Sequence, residues 1–428
     1  MENNNRRLTS AFIAVTTLFF AWGFITSMID PLIALVRKLF SLTTTESMLT
    51  QFAYFMAYGV VSLPGAALVS KVGYSRSILY ALVVILAGCL FIPVATALDH
   101  YELVLVGLFV IASGVTILQV AANPLAAALG RPERSHFRLT FSQAFNSLGT
   151  VIGPLVGAEL MLQGGVFGAD DSVAISPQMR AVSLRSIDTS FLAFAAMLAL
   201  LTIFIWTSRR LIADAAPVPA KTDDSVATAL RSRWAILGAV AIFLYVGAEV
   251  SIGSNLNFLF QRKDVLGLTP YVAGKVVPFY WLGAMVGRFV GSALLTRIKA
   301  GRLLAAFAAV NAVLCLTVWL GNGYVAAGGA LVAGLFNSIM FPTIFTITLE
   351  RSTASAAATS GLLCVAIIGG ALLPPLTGFI ADKADMHVAF LVPMVAYFLI
   401  SLFASAASKA RVGTVGAPAT SLADQRSP

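Results

Sequence analysis

Residues 149–157 read GTVIGPLVG, and residues 370–378 read GALLPPLTG. Gly149, Pro154, Leu155 and Gly157 recur at an offset of 221 residues as Gly370, Pro375, Leu376 and Gly378, with Pro374 standing where the first stretch has Gly153. Each stretch lies inside an apolar run, where glycines let helices approach closely and prolines bend the axis. A second correspondence has nearly the same offset. Gly65, Lys71 and Arg76 are spaced as are Gly291, Arg297 and Arg302, 226 residues further on. Two registers repeated at almost one offset describe a duplicated unit.

The rest of the chain says what solvent that unit occupies. Of 428 residues, 58% are hydrophobic and 11% charged, against about 25% charged in an average soluble domain. This is the composition of a polytopic membrane protein. A helix needs roughly 20 apolar residues to cross the hydrocarbon core. Runs of that kind fall at 9–35, 48–69, 77–97, 103–129, 139–163, 189–207, 234–260, 271–295, 303–320, 325–349, 355–380 and 387–408. The expected architecture is therefore an all-α integral membrane fold of twelve transmembrane helices in two six-helix halves. The halves are 1–207 and 234–408. Residues 208–233, charged and rich in Ala and Pro, are a hydrated linker, and 409–428 a polar tail.

Lysine and arginine orient the spans. With the N-terminus in the cytoplasm, nineteen basic residues fall on that side and eight on the other, with Arg288 inside a span. Both termini and the linker are thus expected to be cytoplasmic. The net charge of +9 follows from these loops and their attraction to anionic lipid; no basic folded surface points to nucleic acid. Residues 1–7 are polar and the next apolar run is too long for a signal-peptide core, so the first span is expected to stay in the mature chain. Cys89, Cys315 and Cys364 sit singly in different runs and read as small buried hydrophobes, with neither disulfide nor metal spacing. His100, His136 and His387 fall in or beside loops and read as solvated or topological.

Two acids stand inside apolar runs, Asp30 and Glu249. A carboxylate at the bilayer centre costs roughly 2.5 kcal/mol or more, so such residues face a cavity, an ion or a partner. They are the candidate coupling groups. A desolvated carboxyl binds a proton near neutral pH, whereas carboxylates with hydroxyls such as Thr26, Ser27, Ser251 and Ser254 hold sodium, and both ions stay open. For Glu249, a structural pairing with Arg288 is the competing reading. The amides Gln119 and Asn123, and Gln143 with Ser147, are four residues apart and share helical faces. Amides meet hydroxyl-rich ligands with a donor and an acceptor each; Asn146, Gln51 and Asn337 extend the set. Trp22 and the run Phe279, Tyr280, Trp281 could cover the apolar face of a ring, but three consecutive residues cannot all point one way. No HExxH, GxSxG or P-loop suggests an enzyme.

Six segments carry a family resemblance: WGFITSMIDPL (22–32), ILQVAANPL (117–125), HFRLTFSQAFNSLG (136–149), YVGAEVSIGS (245–254), GAMVGRFVGS (283–292) and GLFNSIMFPTIF (334–345). Together they resemble the glucose/galactose transporter branch of the fucose:proton symporter family, within the major facilitator superfamily. The resemblance implies a hexose imported with a cation across a bacterial inner membrane, by rocking of the halves about a midplane site. It further implies that Asp30, Gln119, Asn123, Gln143 and Asn146 face that site, joined on chemical grounds by Gln51, Trp281 and Asn337. On this reading Asp30 is the primary coupling carboxylate and Glu249 tunes cation or sugar. The turns at Gly65, Lys71, Arg76 and Gly291, Arg297, Arg302 latch the cytoplasmic side. No cofactor is implied beyond the co-transported proton or sodium, and the partners are sugar and membrane lipid, with the chain a monomer. The fucose branch carries a carboxylate where this chain has Gln119 and none where it has Glu249, so if the second acid serves ion coupling, it has changed halves. Fucose, mannose and N-acetylglucosamine are the alternative sugars. An efflux antiporter and a non-transporting sugar sensor are the rival classes.

Overall fold

Hydrocarbon offers no water to backbone N–H and C=O groups, so an apolar chain must satisfy them within its own helices. The computed structural model describes residues 2–42, 44–161, 166, 176–217 and 226–410, and contains no strand among them. The first set of helices comprises α1 (Glu2–Ser27), α2 (Ile29–Leu39), α3 (Thr44–Val72), α4 (Tyr74–Ala97), α5 (Tyr101–Ala128), α6 (Ser135–Met161) and α7 (Pro177–Ala215). A short α8 (Val226–Arg231) leads to α9 (Arg233–Gln261), α10 (Pro270–Val276), α11 (Pro278–Leu294), α12 (Ala300–Leu320) and α13 (Gly323–Asn337). The chain continues through α14 (Met340–Arg351), α15 (Ala356–Val365), a 3-10 turn at Ala366–Ile368, α16 (Gly369–Lys383), α17 (Met386–Ala389) and α18 (Leu391–Lys409).

The packing repeats as the sequence does. In the first set α1 packs on α6, α3 on α5, and α4 on α5 and α7; in the second α9 packs on α16, α11 on α13, and α12 on α13 and α18. The helices bearing the duplicated stretches take equivalent places in these pairs, although the matched Gly370 meets Phe55 of α3 and Gly378 meets nothing close. A Cβ at Gly149 would run into the α1 backbone at Phe20 and Phe24, and one at Gly369, beside the repeat in α16, would run into the α9 backbone at Phe243. Gly65 meets Ile117 of α5 and Gly291 meets Ile339 between α13 and α14, while Lys71, Arg76, Arg297 and Arg302 are exposed. Large apolar side chains such as Leu155, Leu200, Phe379 and Phe398 are exposed on the outside, as a lipid-facing surface requires.

Ten segments of the described chain are long and apolar enough to cross a membrane. The other two expected spans are present as helices but fall short of that measure. One is α6, which carries Arg138, Gln143, Asn146, Ser147 and Thr150 among its apolar residues. The other is divided at Pro278, leaving α11 with 17 residues. Residues 208–215, expected in the linker, are helical and continue α7, and α8 forms within the remainder. The three cysteines are buried and unbonded.

Prolines set the breaks. Pro31 has no N–H to give the Ser27 carbonyl; α1 stops at Ser27, and Met28 donates to Ile25 three residues back at 3.2 Å. Pro342 leaves the Ser338 carbonyl free in the same way, where α13 gives over to α14. Pro124, inside α5, frees the Val120 carbonyl, which accepts from Ser360 Oγ of α15 at 2.8 Å. The last contact joins the two helix sets. They also meet where Ser135 Oγ and His136 Nε2 of α6 reach Glu350 Oε1 of α14, each at 3.0 Å.

Because the α1–α6 seam has no room for a side chain, Gly149→Leu is expected to destabilise the protein by about 1–3 kcal/mol. A lowered thermal midpoint in detergent checks this; an unchanged midpoint would mean that α1 and α6 separate freely.

Candidate functional site

Both helix sets contribute to one polar cavity of about 280 Å³, near the lower end of the roughly 300–1,000 Å³ range of small-ligand sites. The first set supplies Trp22 and Thr26 from α1, Tyr54, Phe55 and Tyr58 from α3, Gln119 from α5, and Gln143 and Asn146 from α6. From the second come Tyr245, Val246 and Glu249 of α9, Arg288 of α11, Phe341 of α14 and Ile367 of the 3-10 turn. An adjoining space of about 290 Å³ shares Thr26, Asn146, Glu249 and Arg288 and adds Ser147, Thr150 and Trp281.

Helical spacing accounts for these placements. Tyr54 and Tyr58, and Tyr245 and Glu249, are pairs four residues apart that present one face each. Gln119 Nε2 donates to Tyr58 Oη at 2.7 Å, and Gln143 Nε2 to Asn123 Oδ1 at 3.2 Å. Asn146 Nδ2 donates to the Phe19 carbonyl at 3.2 Å. Asn123 is itself fully buried behind Gln143 and away from the cavity wall, with no partner for its own amide nitrogen among the described residues.

Charge enters from the second set. Glu249 Oε1 accepts no hydrogen bond, and its nearest cation is Arg288 Nη2 at 3.8 Å, both side chains being 12% exposed. Arg288 Nε donates to the Ser338 carbonyl at 3.1 Å, the carbonyl that Pro342 releases. Its Nη1 reaches the Gln143 carbonyl at 3.4 Å and Ser147 Oγ of α6.

Of the residues expected from sequence, Gln119, Gln143, Asn146 and Glu249 come together on the cavity and Trp281 lies in the adjoining space. The backbone of Asp30 begins α2 just beyond the α1 break. The side chains of Asp30 and Gln51 lie outside the described residues. Asn337 is away from the wall: Nδ2 donates to Tyr280 Oη at 2.6 Å, Oδ1 accepts from Asn311 at 2.9 Å, and Tyr280 Oη donates to the Glu249 carbonyl at 3.0 Å. Phe279 is exposed on the outside.

His100 is exposed before α5, as expected, whereas the other two histidines need correction. His136 is within α6 and bonds Thr346 and Glu350 across the two sets. His387 is buried, facing the Val318 carbonyl and Asp264 Oδ2 at 3.3 Å. Hydrogen bonds from Arg262 hold the Asp264 carboxyl down at about 2. Sequence reasoning also passed over Tyr54, Tyr58 and Tyr245, because a phenol in an apolar run reads as core. Their i, i+4 pairing with each other and with Glu249 is the signal that could have found them.

A model of the Major Facilitator Superfamily matches residues 11–363. The glucose/galactose transporter of Brucella abortus is 42% identical over 400 residues, spanning 93% of this chain and 94% of that protein. The L-fucose-proton symporter of Escherichia coli is 29% identical over 419 residues, 92% of each. A crystal structure of the MFS transporter FucP in the outward conformation superposes with a TM-score of 0.81 at 26% identity, over 94% of this chain and all of that one.

Asn337→Leu removes the shared partner of Asn311 and Tyr280 and is expected to cost about 1–3 kcal/mol through the buried groups it strands. The drop should appear in thermal unfolding; an unmoved midpoint would show that the network carries no stability.

Proposed function

Because this chain belongs to the major facilitator superfamily and is a multi-pass membrane protein, we propose that it is a proton-coupled hexose symporter, importing glucose or galactose by alternating access. The observation that carries this reading is the cavity itself, walled by both helix sets with amides, phenols and one acid–base pair. The identity to the B. abortus transporter supports glucose and galactose, and the fucose–proton relative supports a proton as the coupled ion.

The chemistry of the wall suits a sugar. Gln119, Gln143 and Asn146 offer donors and acceptors to ring hydroxyls, and Trp22, Phe55 and Phe341 offer apolar faces to the C–H side of the ring. Asn123 acts from behind by holding the Gln143 amide. Asp30 and Glu249 are the coupling carboxyls. Gln51, Trp281 and Asn337 belong to the wider sugar site, Asn337 by fixing Tyr280 against Glu249.

The working architecture has twelve spans, with α6 and the α10–α11 pair crossing as well. Residues 1–207 and 234–408 are the two rocking halves, 208–233 the linker and 409–428 the tail. The chain works as a monomer in a bacterial inner membrane with both termini cytoplasmic. The end where Ser135 and His136 meet Glu350 and Ser360 meets Val120 is the cytoplasmic one, so this is the outward-facing state. The turns bearing Gly65, Lys71, Arg76 and Gly291, Arg297, Arg302 remake their packing when that end opens.

Labelled D-glucose uptake into proteoliposomes under an inward proton gradient, then an inward sodium gradient, tests the function. Concentrative uptake is expected under the proton gradient alone; the absence of sugar flux under both would overturn the reading. Asp30→Asn is expected to lose accumulation while retaining sugar exchange, and accumulation at the wild-type level would remove Asp30 from the coupling step.

A further inference from the structure

Among the described residues lining the two cavities, Arg288 is the one cation and Glu249 the one acid. The guanidinium is divided between the helix sets. Nε is held by Ser338 of its own set, Nη1 by the Gln143 carbonyl and Ser147 Oγ of α6 in the other, and Nη2 lies 3.8 Å from Glu249 Oε1 without forming a hydrogen bond. Opposite charges a few ångströms apart in a low-dielectric site interact strongly, yet here the ion pair is held at 3.8 Å, short of a hydrogen bond. What competes for the guanidinium is α6, across the seam that rocking must alter.

We propose that Arg288 is the positioning residue that makes release of the coupling proton from Glu249 depend on movement of α6. In the state described, α6 withholds the guanidinium, and Glu249 can accept a proton from the outside water. When the halves rock and α6 draws Ser147 and the Gln143 carbonyl away, Arg288 keeps its Ser338 anchor and swings Nη2 onto the carboxyl. The Glu249 proton then passes to water in the cytoplasm-facing cavity, leaving a carboxylate paired with the guanidinium. The inference rests on the symport reading above and adds the residue that enforces its order.

The surroundings leave Arg288 in control. Among the described residues, the ionisable groups facing Glu249 are Tyr245 one turn back on α9, Tyr280 and Arg288 of α11, Tyr397 of α18, and Tyr54 and Tyr58 across the cavity on α3. Phenols are neutral at cellular pH. On α10, Lys275 adjoins Gly274, which packs near Asn257, two turns further along α9. Asp382 and Lys383 of α16 lie beyond the contact of Thr377 with Asn255, and Glu350 and Arg351 of α14 lie at the opposite end of α9, where Arg351 meets Trp234.

The test is pH-difference infrared spectroscopy of the purified full-length protein, following the carboxyl band that disappears in Glu249→Gln. Arg288→Gln removes the counter-charge and is expected to raise the midpoint of that band by about 1–3 pH units. Ser147→Ala loosens the grip of α6, lets the guanidinium close on Glu249, and is expected to lower it. Opposite signs support the proposal; an unmoved midpoint in Arg288→Gln, or one that rises or stays in Ser147→Ala, overturns it. Should Arg288→Gln fail to fold, Arg288→Lys keeps a charge without the fork and is expected to raise the midpoint by less. Glucose counterflow on the same preparations is expected to persist in Arg288→Gln while concentrative uptake is lost. If the wild type moves no sugar while the infrared signs hold, the sugar reading falls and the role of Arg288 stands; if it moves sugar and the signs fail, the reverse follows.

Discussion

Every backbone carbonyl that a proline releases inside hydrocarbon must find another donor, and the structure uses this constraint to join its parts. Pro124 frees Val120, and Ser360 from the other helix set supplies the missing hydrogen bond. Pro342 frees Ser338, and Arg288 supplies it there. Prolines that interrupt the backbone hydrogen-bond ladder, one inside α5 and one early in α14, therefore create the acceptors that connect α5 to α15 and α11 to the α13–α14 junction. Without Pro342, the Ser338 carbonyl would be taken by its own helix and the guanidinium would lose its fixed anchor.

From that anchor follows the electrostatic character of the cavity. A lone carboxylate on α9 would be costly in the bilayer, and a lone guanidinium equally so. Side by side they neutralise each other in sum while staying 3.8 Å apart. The surrounding amides and phenols keep the space polar without adding charge, which suits an uncharged hydroxylated ligand. Tyr280 links the acid to the interior, donating to the Glu249 carbonyl while accepting from Asn337. One chain of hydrogen bonds thereby joins the α9 backbone at Glu249 to α11, α13 and α12.

Much of the site was legible because the bilayer penalises polarity. Glu249, Gln119, Gln143 and Asn146 stand out in apolar runs, and each lines the cavity. The same signal marks Asn123 and Asn337, which turn out to be partners of other polar side chains; a polar residue in a span announces that it is satisfied, not by whom. Tyr54, Tyr58 and Tyr245 went unmarked because their rings are apolar enough to pass as core. His136 sits one residue into α6, too near a turn for periodicity to place it inside, and only folding brings Glu350 to it from 214 positions further along the chain.

By itself the sequence determined the helical class, the duplication and the identity of the polar groups, because composition, period and repeat register are local properties that hydrocarbon enforces residue by residue. The pairing of α1 with α6 and of α9 with α16 was foreshadowed by the matched stretches near 149 and 370, though the closest backbone approach in the second pair falls at Gly369, one residue outside the match. What only the tertiary structure decided is which groups share a guanidinium. Arg288 could have paired fully with Glu249 or faced α6 alone, and its division between them depends on how two helix seams meet, which no linear spacing encodes.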